Sequence, residues 1–109
     1  MDKYNFIVNL TPAEVMSKVK KEESADLIHE EFHDIGNDRY YGTLIFEKYF
    51  MRVSSRVALI VLVNNLNGKT KVTTVATGSS QGRFFSFDWG AADDFAYSVK
   101  IILNDFITE

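Results

Sequence analysis

The chain has 109 residues, of which 46% are hydrophobic and 25% charged, so its size and composition predict one soluble globular domain over residues 1–109. The net charge of −3 gives no overall field that attracts nucleic acid or an acidic membrane, and we expect neither as a partner. The absence of cysteine excludes disulfides and thiol chemistry. No secretory signal opens the sequence, and its longest apolar run, Val57 to Val63, is too short to span a bilayer. We therefore expect a cytoplasmic protein.

The first part of the chain predicts a strand that leads directly into a helix. Tyr4 to Leu10 has the alternation of a short strand. Thr11 is expected to be the N-cap of the helix, with Pro12 in the first helical position and Glu14 completing a capping box. Continuing the apolar stripe of this helix would bury carboxylates, so we expect it to end near Glu22.

Residues 25–34 fit either a second helix or a strand. The turn-forming run Gly36-Asn37-Asp38 follows them, and residues 39–50 are rich in aromatic and β-branched side chains. This order favours a hairpin whose first arm is 25–34, although the pattern of that segment leaves the helix open.

The strongest strand is predicted at residues 56–65, and Asn67-Gly68 is expected to form a type I′ turn into a strand at 69–77. Pairing about that turn places Val63 opposite Val72. One face of the hairpin then carries Ala58, Ile60 and Leu62 beside Thr73 and Val75, and the other face is also apolar in its middle.

A sheet with one solvated face should alternate apolar and polar residues along each strand, and this hairpin does not. We predict an α+β fold of strand, helix, antiparallel meander and helix, with four or five strands in the sheet and both helices packed on one face. A homodimer would then cover the second face through Ile60, Leu62 and Val75. A sheet curled around a small apolar pocket is the rival solution.

A glycine- and serine-rich segment links the hairpin to the last helix, which we expect to begin near Asp88-Trp89-Gly90 with Asp93 and Asp94 in its first turn. We interpret the segment as a plain connection, since it lacks the lysine and the spacing of a phosphate-binding loop. The same segment is our candidate rim for contact with a ligand or partner. This contact rim consists of seven residues: Gly78, Ser79, Ser80, Gln81, Gly82, Arg83 and Trp89.

Residues 29–33 spell H-E-x-x-H, the motif by which zinc peptidases are usually recognised. On a helix, His29 and His33 would reach one metal ion and Glu30 would take a proton from the bound water. The third ligand is missing, because Arg39 stands where a longer version of the motif has histidine and no second motif supplies a carboxylate. We therefore interpret the motif as two surface histidines, predict no cofactor and no catalytic residue, and keep a small zinc-dependent hydrolase as the alternative.

From Gly42 onward the chain resembles a bacterial family of short proteins known as a domain of unknown function. The matching features are Phe46-Glu47-Lys48-Tyr49, the hairpin at Asn67-Gly68, and Thr77-Gly78-Ser79-Ser80-Gln81 followed by Phe84-Phe85. Asp93-Asp94-Phe95 is also similar, and the resemblance covers residues 42–107. It implies a compact α+β domain without an assigned activity. Our first hypothesis is therefore a non-enzymatic binding or self-associating module whose small-molecule ligand, if any, the sequence does not name.

Overall fold

The computed structural model of the chain describes residues 2–51, 54–78 and 89–109. They form an antiparallel sheet of five strands with two helices on one of its faces, which confirms the predicted α+β architecture. In chain order the elements are β1 (Asp2–Val8), α1 (Pro12–Glu22), β2 (Asp26–Asp34), β3 (Tyr40–Phe50), β4 (Ser55–Asn64), β5 (Thr70–Gly78) and α2 (Trp89–Ile102), followed by a 3-10 turn at Asn104–Phe106.

The strands lie in the order β1-β5-β4-β3-β2, so that β4 is central and the edges are β1 and β2. Strands β2 to β5 form the predicted meander, and β1 closes the arrangement by pairing with β5. The predicted register of the β4–β5 hairpin is confirmed, with Val63 opposite Val72 and Leu59 opposite Ala76. Residues 25–34 are likewise the hairpin arm that the following turn favoured, because Asp26–Asp34 pairs with β3 as a strand.

The core lies between the sheet and the helices. Helix α1 packs over β3 and β4, and α2 packs over β5 and β1. The Thr74 hydroxyl, fully buried on β5, donates a hydrogen bond of 3.0 Å to the carbonyl oxygen of Ala96 on α2 and so joins the two layers. The largest fully buried side chains of the core include Leu44, Phe46, Leu59, Val61, Val72, Val15, Val19, Val99 and Leu103.

Helix α1 begins and ends where its sequence predicts. The Thr11 hydroxyl accepts a hydrogen bond from the amide of Glu14, and the Glu14 carboxylate accepts one from the amide of Thr11. This is the capping box expected from the spacing, with Pro12 in the first turn. The last residue is Glu22, as the interrupted apolar stripe indicates.

The type I′ turn predicted at Asn67-Gly68 is wrong. Such a turn needs positive φ at both central residues, and in this loop only Gly68 has it, at 89°. The loop spans residues 65–69, and a connection longer than two residues is usually built on a type I turn instead. Two successive positive φ values occur at Asn37 (55°) and Asp38 (60°), in the β2–β3 hairpin.

The prediction that Asp93 and Asp94 lie in the first turn of the last helix is also wrong. Helix α2 starts at Trp89, which puts both residues beyond its first four positions. Asp93 accepts a hydrogen bond from the Tyr4 hydroxyl and therefore ties α2 to β1. Its role is a contact between elements, not an interaction with the helix dipole.

Candidate functional site

The H-E-x-x-H segment lies on the edge strand β2, where successive side chains point to opposite faces of the sheet. His29 and His33 share the face turned away from the helices, opposite Ile45 and Tyr41 of β3. Glu30 lies on the other face, where its carboxylate is 2.7 Å from the ammonium group of Lys20 on α1. The zinc-hydrolase alternative requires both histidines and Glu30 around one metal ion, and the strand separates the glutamate from them.

The two histidines instead converge on Glu31, the residue between them on the same face. Nε2 of His29 lies 2.7 Å from Oε2 of Glu31, and Nε2 of His33 lies 3.0 Å from Oε1. The His33 ring also stacks on Tyr41 at 4.7 Å between ring centroids. Hydrogen bonds from His29 and, second, from His33 lower the pKa of Glu31 below its ordinary value of 4.5, because they stabilise the ionised carboxylate.

This His-Glu-His cluster was missed by the sequence analysis, because the helical motif assigns Glu31 no role. The signal was nonetheless present as polar, titratable residues at positions i, i+2 and i+4 of a strand. Within residues 2–51, 54–78 and 89–109, no three His, Cys, Asp or Glu side chains are arranged to hold a metal ion. The cluster is a hydrogen-bonded group on the surface.

The face of the sheet opposite the helices, which we call the open face, brings together the three residues predicted for an interface. Ile60 on β4 pairs with Ile45 on one side and Val75 on the other, which makes an apolar row across three strands. Leu62 is the next residue of β4 on this face and is 40% exposed. Both described helices pack on the other face, so within the described segments this apolar patch has no cover.

Charged side chains at the two ends of the open face differ in sign. Lys3 on β1 and Lys71 on β5 lie toward one edge and are exposed. Glu31 on β2 lies at the opposite edge, two strands from the central β4. The Glu47 carboxylate on β3 forms an ion pair with the Arg56 guanidinium group on β4, at an N–O distance of 3.0 Å. The open face is thus apolar in the middle, basic toward β1 and acidic toward β2.

The predicted contact rim is only partly described. Gly78 is the last residue of β5. Trp89 is the first residue of α2, and the structure describes its backbone but not its side chain. Ser79, Ser80, Gln81, Gly82 and Arg83 lie outside the described residues altogether.

Two helices on one side of an open antiparallel sheet, with an apolar patch on the other side, define a two-layer α+β domain in which neither described helix covers the second sheet face. The chain belongs to a family of unknown function, DUF6054, whose model matches residues 1–107. The match confirms the resemblance seen from Gly42 onward and extends it over the H-E-x-x-H segment. No curated protein and no solved structure matches the chain significantly. Neither described helix is long and apolar enough to cross a membrane.

Proposed function

We propose that the protein is a non-enzymatic, self-associating module in which two copies pack through their open faces. The observation that carries this proposal is the apolar row of Ile45, Ile60 and Val75, continued by the exposed Leu62, on the face that neither described helix covers. Apolar surface of this kind is stabilised by removal from water, and two sheets pack face to face at about 10 Å.

The size of the open face is sufficient for a small specific interface. Five strands about 4.8 Å apart, each contributing about seven residues, cover roughly 550 Å². Two copies together would therefore bury about 1,100 Å², which exceeds the roughly 1,000 Å² expected of a specific interface. A dimer assembled on this face would bury slightly less than the roughly 1,200–2,000 Å² of standard stable interfaces, so we expect a weak, concentration-dependent dimer.

The charge distribution favours a second copy of the chain as the occupant. A two-fold axis parallel to β4 would stack β4 on β4 and place β1 of one copy over β2 of the other. Lys3 shares a row with Val75, Ile60, Ile45 and His29, so it would meet the His29–Glu31 edge of the second copy. The basic edge of each copy would face the acidic edge of the other, so the dimer would contain this contact twice. The apolar rows of the two copies would pack against each other between the two contacts.

The experiment is sedimentation velocity over a concentration series of the wild type and of Leu62→Asp. We expect the wild type to dimerise and the variant to raise the dimer dissociation constant by at least about thirtyfold, since a carboxylate would replace an interface anchor. Ile101→Asp is the matched control, because Ile101 is 63% exposed on α2, on the helical side. It introduces the same charge and should leave the dimer intact.

Thermal unfolding of both variants separates lost association from lost folding. A wild type that stays monomeric up to millimolar concentration would refute the proposal. Equal weakening by Leu62→Asp and Ile101→Asp would also contradict it, because the effect would then follow net charge and not the open face.

A further inference from the structure

The edge strand β2 is nine residues long and, among the described strands, pairs with β3 alone. Its outer side therefore presents a row of backbone N–H and C=O groups that no described strand pairs with. Neither face of β2 is covered: eight of its nine residues are exposed and only His33 is half-buried. Strand β2 thus extends the sheet beyond the helical layer.

Apolar side chains accompany this unpaired edge. Leu27 is 40% exposed, Ile28 is 55% exposed and Phe32 is 41% exposed. On the helical side, Phe32 forms one wall of a shallow groove whose other wall is Met16 and Lys20 of α1. An extended segment paired with β2 would have its backbone groups satisfied along the edge and alternate side chains directed toward this groove.

The charges of β2 indicate what kind of segment fits. The strand carries Asp26, Glu30, Glu31 and Asp34 and has no lysine or arginine. Pairing β2 with β2 of a second copy would bring two sets of these carboxylates together, which disfavours self-pairing. Asp26 and Glu31 lie on the open face, whereas Phe32 lies on the helical side. A segment that alternates basic and apolar residues would place its cations beside these two carboxylates and its apolar side chains against Phe32.

We propose that β2 is a docking strand for an extended segment of another protein that alternates basic and apolar residues and adds a sixth strand to the sheet. The outer backbone edge of β2 is distinct from the apolar row of the open face, and the two surfaces share only the carboxylates of Asp26 and Glu31. The inference therefore does not rest on the proposed self-association. Backbone hydrogen bonds would supply affinity, and the carboxylates would select the partner.

The test uses two labelled nine-residue peptides with blocked ends, one alternating lysine with valine and the other glutamate with valine. Fluorescence anisotropy should show that the basic peptide binds the intact chain at least about tenfold more tightly, as several weak exposed ion pairs add. Amide hydrogen exchange should show new protection at alternate residues from His29 to Asp34, where β2 pairs with β3 in continuous register and every second amide points outward.

The charge-reversed variant Asp26→Lys/Glu31→Lys changes the two carboxylates on the face where the cations of the basic peptide would lie. It should invert the preference between the two peptides, an effect that a merely structural role of these residues would not produce. If this variant does not fold, the affinities of the basic and the acidic peptide for the wild type still test the proposal. Equal binding of both peptides, or protection away from β2, would overturn the proposal. Protection of β2 that rises with protein concentration in the absence of peptide would also overturn it, because a second copy would then occupy the edge.

Discussion

Gly42 of β3 lies directly beneath Met16 of α1. A Cβ atom built at Gly42 would approach Met16 Cε at 2.9 Å and the backbone carbonyl oxygen of Glu31 at 3.0 Å. Both distances are shorter than ordinary carbon contacts, so the absence of a side chain at this position lets α1 sit close to the sheet. Glycine is used here for close approach and not for a turn.

Gly42→Ala should therefore destabilise the fold by about 1–3 kcal/mol, the usual effect of overpacking a core. The flexible end of Met16 can move aside, but the Glu31 carbonyl is held in the β2–β3 pairing. The measurement is a double-mutant cycle with Met16→Ala by urea unfolding. Met16→Ala should cost less in the Gly42→Ala background than in the wild type, and strictly additive costs would contradict the contact.

Reversing charges at the ends of the open face tests the orientation of the proposed dimer. Lys3→Glu and Glu31→Lys should each weaken self-association by roughly 0.2–1 kcal/mol, as exposed ion pairs do. The double variant should recover most of the loss, because a two-fold axis parallel to β4 places the two edges opposite each other. Sedimentation at low salt measures all three.

Lys100→Glu combined with Glu31→Lys is the control for this cycle, since Lys100 lies on α2 near Tyr4 and Tyr97, on the helical side. This combination should not restore the self-association that Glu31→Lys weakens. Recovery by Lys100→Glu, or its absence with Lys3→Glu, would be incompatible with this stacking of the sheets.

The pKa of Glu31 should respond to removal of its histidine neighbours. Titration of its carboxyl carbon by NMR should give a midpoint below 4.5 in the wild type. His29→Ala should raise the pKa more than His33→Ala, because the hydrogen bond from His29 is the larger cause of the lowering and is the shorter contact. A midpoint that neither substitution moves would show that the cluster does not form.

The sign of the corresponding effect on stability follows from the direction of this pKa shift. Folding lowers the pKa of Glu31, so the unfolded chain binds more protons as the pH falls below about 4.5. The stabilising contribution is present above that pH and is lost as the pH falls through the folded-state pKa. The measurement is the urea concentration at the unfolding midpoint as a function of pH. In Glu31→Gln this midpoint should fall less steeply than in the wild type as the pH drops below about 4.5.

The structural features that could be predicted from the sequence are those whose interacting residues are close together in the chain. The capping box of Thr11 and Glu14 is completed within one helical turn, which is why both ends of α1 were predictable. The β4–β5 register follows from a short loop, and Val63 indeed faces Val72. The type I′ turn was misplaced because Asn67-Gly68 fits that turn chemically, whereas the loop that contains it is longer than two residues.

Sequence alone determined an α+β domain with an apolar second sheet face, because alternation and turn chemistry are local properties of the chain. Only the tertiary structure decided that residues 26–34 form a strand, since pairing with β3 selects between two conformations that the local pattern allows. The same pairing moved Glu30 to the opposite face and brought His29 and His33 onto Glu31. The H-E-x-x-H segment therefore forms a surface cluster on an edge strand, because pairing with β3 selected the extended conformation that the local pattern left open.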